Sequence, residues 1–267
     1  RTVTVEVDGA ARRLADVRDR WLVVTAAGEL DPTLLAGRPV EERERPAWQV
    51  TWAVPTPGTT PAALHAPTPT DERLTVPALL LGTFPLDPGR RRVAPGAVTD
   101  HLVTEAGRLW PALLLAARRA REQGRAAPDP LDLLPSGFPP GPVDPPRRDA
   151  VMGAAAHAPV LPTADGGWAS PREALVLAPP WDATDAPAVL GRWFGSLVAL
   201  GPDRREALRS LGVPTVGIAE LVEQLPATSP VACARCTRCS RGTAPTSSVR
   251  RRCPWRTAGW CTVRAAR

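Results

Sequence analysis

The chain has 267 residues, enough for one large or two small domains with cores of their own, and a formal charge of +6. All 33 basic residues are arginine, lysine, asparagine and tyrosine are absent, and there are 33 prolines. Arginine, alanine, glycine and proline share G/C-rich codons, so this skew reads as genome bias rather than function. Residues 231–267 hold nine arginines and no acid, which leaves 24 arginines against 27 acids in the rest. The body is thus mildly acidic and lacks a basic stripe, which argues against nucleic acid as its partner. No run of about eighteen apolar residues exists, so no membrane-spanning helix is expected. The chain starts without a methionine, directly in a strand pattern and without a signal-peptide profile. The expectation is a cytoplasmic protein with a further part upstream of Arg1.

Val3, Val5 and Val7 alternate with polar residues, and Asp8–Gly9 marks a turn. Trp21 to Val24 is a second apolar run, closed by Gly28, and the two together read as a hairpin or meander. Asp31–Pro32 starts a short helix through Leu34 and Leu35, with Asp31 as N-cap and Pro32 at the first helical position. Glu41 to Pro46 is a charged connector. Trp48, Val50, Trp52 and Val54 form a strand; the first three share one face, which reads as core packing rather than a ligand platform. Pro55 to Pro61 is a loop, and Leu64 to Thr70 is a short apolar lead-in broken by Pro67 and Pro69. Leu74 to Leu86, the longest apolar run, reads as a buried strand. It delivers a Pro88–Gly89 turn and then Arg90, Arg91 and Arg92 to a sheet edge. A guanidinium is always charged and shaped to grip phosphate or carboxylate with two hydrogen bonds. An arginine triplet after a strand is also what a solvated turn contains.

Thr99 or Asp100 caps a helix with apolar positions at Leu102, Ala106, Leu109, Leu113, Ala117 and Ala120. Pro111 should kink or split it, and Gly124 should stop it. Eight prolines between Ala126 and Arg148 mark a linker. A second module opens at Val151. Leu161 to Trp168 is extended with a turn at Asp165–Gly166, where Asp165 bonds its own backbone rather than a metal. Ala174–Leu177 is a strand or its edge. Asp185–Ala–Pro187 starts a helix that turns Leu190, Trp193, Phe194 and Leu197 inward; Pro202–Leu211 is another, ended by Gly212, and Ile218 to Leu225 marks a third. This half reads as packing surface. The organisation expected is residues 1–125 as a strand-rich domain, 126–150 as linker, 151–230 as a small α/β module and 231–267 as a disordered basic tail.

All five cysteines lie in that tail: Cys233, Cys236, Cys239, Cys253 and Cys261. Cys–x–x–Cys–x–x–Cys suggests zinc or an iron–sulfur cluster, but the last two cysteines stand alone and fit neither pattern well. A frame-shifted reading also accounts for the tail. One frame over, the segment from Ala232 can be read as Leu–Arg–Ala–Leu–Tyr–Glu–Val–Leu–Ala–Gly, which has helical periodicity. It explains why acids vanish and cysteines appear at one point. A metal site or a nucleic-acid arm are the alternatives.

A resemblance rests on Trp48–Gln–Val–Thr–Trp52, His65–Ala–Pro–Thr–Pro–Thr–Asp–Glu72 and Pro85–Leu–Asp–Pro–Gly–Arg–Arg91. These segments resemble large actinobacterial proteins of the sacsin type, relatives of the ninety-kilodalton heat-shock chaperones. The resemblance spans roughly residues 1–230 and is most specific over 48–100. It implies the segment after an ATP-binding domain: an α+β fold with a mixed sheet and packed helices, like a chaperone middle domain, then a smaller helical module. In that family an arginine after the nucleotide domain reaches back to the ATP phosphates. The resemblance implies that role for Arg90, with Arg91 as the alternative, and Arg92 leaves the register open by one. ATP and Mg²⁺ are expected through the upstream domain, and client proteins as partners. This chain lacks the asparagine, Asp–x–Gly–x–Gly and Gly–x–x–x–x–Gly–Lys elements of nucleotide pockets, so it is expected to bind no cofactor alone. His65, His101 and His157 are too scattered for a metal set, and neither Ser136 nor Ser170 lies in a nucleophile-elbow pattern. Two further readings are a protein-interaction scaffold without ATP coupling, and metal or nucleic-acid binding through the tail.

The frame-shift reading predicts a missing or extra base near codon 232 when the coding DNA is resequenced; an intact frame there removes it.

Overall fold

The computed structural model describes residues 3–7, 10–14, 20–56, 62–138, 144–225, 248–252 and 260–264. Two units are distinguished. The first comprises Arg1–Val160 with Ser170–Arg172 and Ser210–Gly212, and the second holds the remainder.

In the first unit, β1 (Val3–Val7) is a strand as the valine alternation implies, but it pairs antiparallel with β2 (Ala10–Leu14) and not with the Trp21–Val24 run expected as its neighbour, which joins another sheet. The Asp8–Gly9 turn itself lies outside the described residues. Next come β3 (Trp21–Glu29), a 3-10 turn at Pro32–Leu35, the short helix α1 (Val40–Arg43) and β4 (Ala47–Pro55). Asp31 caps the 3-10 turn as expected, its carboxylate accepting from Thr33 N at 2.8 Å. The expected charged connector contains α1. β5 (Ala63–Ala66), β6 (Thr68–Arg73) and β7 (Leu79–Gly82) complete a five-stranded sheet of order β3-β4-β7-β5-β6. The β5–β7 pair is parallel and the others antiparallel, so the sheet is mixed. The fold is α+β.

The apolar run Leu74–Leu86 yields only the four-residue strand β7. Pro77 lacks an N–H and biases its predecessor away from regular pairing. Thr75 turns its backbone N–H and hydroxyl to the Asp144 carboxylate instead of to a neighbouring strand. Leu74, Val76 and Ala78 are still buried, as loop residues. The proline-broken lead-in is, conversely, largely strand. Pro69 is tolerated in β6 because β6 is an edge strand, where a missing donor leaves no partner short.

The helix α2 (Ala97–Glu122) begins at Gly96, ahead of the expected caps, and runs unbroken across Pro111. Thr99 lies inside it and donates its hydroxyl back to the Ala94 carbonyl at 2.6 Å. Gly124 ends the helix at φ 70°, and Arg125 N reaches the Ala120 carbonyl at 2.9 Å. The predicted linker is largely structured. A 3-10 turn at Pro130–Leu133 buries Leu131 and Leu133, and α3 (Asp144–Ala155) packs on α2. Pro145 and Pro146 sit in the first turn of α3, where their missing N–H groups cost no intrahelical bond. The compact division therefore falls after Val160, not at residues 126–150.

The second unit contains the hairpin β8 (Leu161–Pro162) and β9 (Trp168–Ala169), the parallel pair β10 (Val176–Leu177) and β11 (Thr215–Val216), and three short helices. These are α4 (Ala186–Leu190), α5 (Arg205–Ser210) and α6 (Ile218–Gln224). Leu177, Leu190, Leu197, Val216, Leu221 and Leu225 make its core. Helix α4 stops at Leu190, so Leu197 reaches that core from beyond the helix. Of the tail, the backbone of Ser248–Arg252 pairs antiparallel with Trp260–Arg264, where a wholly disordered segment is expected. Cys233, Cys236, Cys239 and Cys253 lie outside the described residues.

At Gly107 the α2–α3 contact leaves no room for a side chain: an added Cβ would stand 2.5 Å from the Ala150 Cβ. Gly107→Val is expected to lower stability by about 1–3 kcal/mol in urea unfolding. Gly153→Ala in α3, with open space around it, should raise stability by up to about 1 kcal/mol.

Candidate functional site

The three arginines lie on a turn that its own residues hold in place. Leu86 and Val93 form an antiparallel bridge, and Asp87 N donates to the Arg92 carbonyl at 2.9 Å. The Asp87 carboxylate accepts from the backbone N–H of Arg91 at 3.1 Å and of Arg92 at 3.2 Å. Arg90 has φ 55°, a left-handed conformation in a non-glycine residue. Asp71 N of β6 donates to the Arg91 carbonyl at 2.8 Å, which docks the turn against that edge strand. The backbone N–H groups of Arg90, Arg91 and Arg92 are all bonded to Asp87, while the side chains of the three arginines are exposed and bond nothing among the described residues. The turn also lies at the β6 edge of the sheet, opposite β3. The separation is four strand spacings, about 19 Å.

Beside this segment is a cleft of about 420 Å³. Its walls include Leu30, Leu35, Pro85 and Leu86, and its charged lining is Arg38, Glu41, Glu42 and Arg45. Arg38 and Glu42 are ion-paired across one turn. The two acids and two arginines balance in formal charge.

A second group of charges is wholly internal. Glu72, Thr75, Asp144 and Arg147 are all buried, with Arg147 only 2% exposed. Thr75 gives Asp144 two bonds, at 3.1 and 2.9 Å. The Arg147 guanidinium has no hydrogen-bond partner among the described residues. Burial pushes its pKa down to about 10, opposed by the nearby Asp144 and Glu72 carboxylates. Sequence reading missed this group because Thr75 and Asp144 are 69 residues apart and Arg147 lay in a predicted linker.

The second unit holds another pair that the sequence does not announce. Arg205 grips the buried Asp182 carboxylate with both Nε and Nη2, the latter at 2.7 Å. The hydrogen bonds from Arg205 hold Asp182 below the usual carboxylate range, partly offset by burial. Pair and neighbours line a small cavity of about 110 Å³, with Arg209 at its margin and Val176, Leu208 and Val213 on its walls. The residues lie 23 apart, beyond any helical spacing that would flag them.

Asp165 is the turn aspartate expected. Its carboxylate accepts from the Thr163 hydroxyl and, at 3.2 Å, from Gly167 N, and these bonds lower its pKa. Trp48 and Trp52 are core residues, Trp48 stacked edge-on to His101 with centroids 5.4 Å apart. Among the described residues no three metal-ligating side chains converge, and no helix is long and apolar enough to cross a membrane. No family model matches the chain, and neither does any curated protein or solved structure.

Two stability predictions follow from the buried charges. Asp144→Ala strips Arg147 of a counter-charge, and Arg147→Met leaves the buried Asp144 and Glu72 carboxylates without their cation, so each should cost about 3 kcal/mol by urea unfolding, whereas replacing Glu72, Asp144 and Arg147 together by apolar residues of similar volume should cost far less. Asp182 has a depressed pKa in the folded state, so its contribution is present above the unfolded carboxylate value and lost as pH falls toward the folded one. The gap in urea midpoint between wild type and Asp182→Asn should therefore be largest near neutrality and close below about pH 4.

Proposed function

We propose that this chain is the segment following the ATP-binding domain in a sacsin-like ATP-dependent chaperone. It supplies an arginine to ATP phosphates bound elsewhere and a surface for clients or neighbouring domains. The observation that carries the reading is the turn of Arg90 to Arg92. Asp87 and β6 hold its backbone through five hydrogen bonds, while its guanidiniums have no partner among the described residues. A free guanidinium on a rigid support can act on charge brought by another body, as an arginine finger does. The chaperone middle-domain likeness of the sheet belongs to the same proposal, as do cytoplasmic residence and the ATP and Mg²⁺ of an upstream domain.

The test uses the protein expressed from its complete reading frame. Arg90→Ala, or Arg91→Ala if the register is one residue on, should reduce ATP turnover by about 10²-fold or more while ATP affinity changes little. Unchanged turnover in both variants excludes the arginine role. The second reading, an interaction scaffold without ATP coupling, then stands. It is favoured by the placement of the turn at the edge away from β3.

A further inference from the structure

The two edges of the five-stranded sheet are unlike. β6 is short, contains Pro69, Asp71, Glu72 and Arg73, and is bonded by the arginine turn. β3 has nine residues, no proline and no bulge against β4, and a single charge, Glu29, at its end. Its hydrogen-bonding phase follows from both ends. Thr56 N donates to the Arg20 carbonyl at 2.6 Å, and Leu30 N donates to the Pro46 carbonyl at 2.8 Å. Between them the register is unbroken, so Leu22, Val24, Ala26 and Gly28 turn their backbone groups to β4. Trp21, Val23, Thr25, Ala27 and Glu29 therefore point N–H and C=O outward, and none of these groups has a partner among the described residues. A row of directed donors and acceptors is complementary only to another strand.

We propose that the strand is β3 of a second copy of this chain, antiparallel about a two-fold axis at Thr25. Only this centre lets all five outward residues pair with outward residues: Trp21 with Glu29, Val23 with Ala27, and Thr25 with itself. The same register sets large beside small on both faces. Leu22 faces Gly28 and Val24 faces Ala26 on the core side, while Val23, 52% exposed in the single chain, faces Ala27 on the other. The two Glu29 carboxylates fall at opposite ends of the ribbon, roughly 27 Å apart, so no like charges meet. The product is one sheet continuous through two copies.

The experiment is sedimentation equilibrium and amide hydrogen exchange on the 267-residue chain across a wide concentration range. A dimer is expected. The amides of Trp21, Val23, Thr25 and Ala27 should gain protection as concentration rises, while those of Val24 and Ala26, already bonded to β4, stay constant. Thr25→Pro removes an outward N–H that β4 does not use and should give a monomer with unchanged far-ultraviolet circular dichroism. If that variant does not fold, the concentration dependence of the outward amides in wild type decides alone. A wild-type monomer with concentration-independent exchange overturns the proposal. So does protection of the outward amides that arises only on adding an unfolded polypeptide, which would assign the edge to client strands.

Discussion

The first unit is organised around one turn of α2, between Ala106 and Pro111. Pro111 has no N–H for the Gly107 carbonyl and its ring crowds that oxygen, so this is where the helix should fail. Contacts grip the same turn from two sides. The Trp52 indole N–H of β4 donates to the Ala106 carbonyl at 2.8 Å, and the Trp52 and Trp110 rings meet edge-on, 4.8 Å between centroids. On the other side Gly107 has no Cβ, which lets Ala150 of α3 close on the helix backbone. The turn that is weakest by local propensity is thus the one most tied to its surroundings. Both tryptophans are completely buried, so the contacts act in a dry environment where aromatic packing is worth most.

The sheet takes its place from that contact. β4 carries Trp52 and is buried on both faces from Val50 to Val54. Pairing with β4 fixes β7 on one side and β3 on the other. The residues after β7 continue to the Asp87 turn, so the arginines are joined to the helix–sheet core by short, hydrogen-bonded chain. This linkage makes a surface turn rigid. It also shows why the internal Glu72–Asp144–Arg147 group is structural. It lies between β6, the loop before β7 and the start of α3, and each of its members is buried.

Elements announced by a local signal were legible in the residues. Asp31–Pro32, Gly124, Asp165–Gly166 and Gly212 each encode a cap or turn within three or four residues, and each stands where that chemistry puts it. The alternation of Trp48, Val50 and Trp52 was equally direct. What failed was set by distant partners. Hydrophobicity alone made Leu74–Leu86 a single strand, but Asp144 draws Thr75 out of line. Proline density made residues 126–150 a linker, although prolines in the first turn of α3 are compatible with a helix. The Asp182–Arg205 fork and the buried Arg147 left no mark because charged residues in sequence carry no sign of burial. The candidate arginines were legible as a turn. Their exposure, their backbone anchoring and their position at the β6 edge required the fold.

The contrast between the sheet's edges follows from the same assembly. An edge strand exposes backbone groups unless something blunts it, and the usual devices are proline, charge and a covering loop. β6 has all three: Pro69, the charges of Asp71 to Arg73, and the arginine turn bonded to Asp71 N. The loop that covers β6 is thus also the loop that displays the guanidiniums, so blocking the edge and presenting the cations are one structural act. Nothing comparable protects β3 among the described residues. Its Gly28 lies against the Trp48 indole, with 3.1 Å to an added Cβ, so a side chain that might crowd an incoming strand is kept out by the core itself. The packing that buries Trp48 therefore keeps the β3 end narrow and open, and the sheet has one edge closed by charge and one edge left to hydrogen bonding.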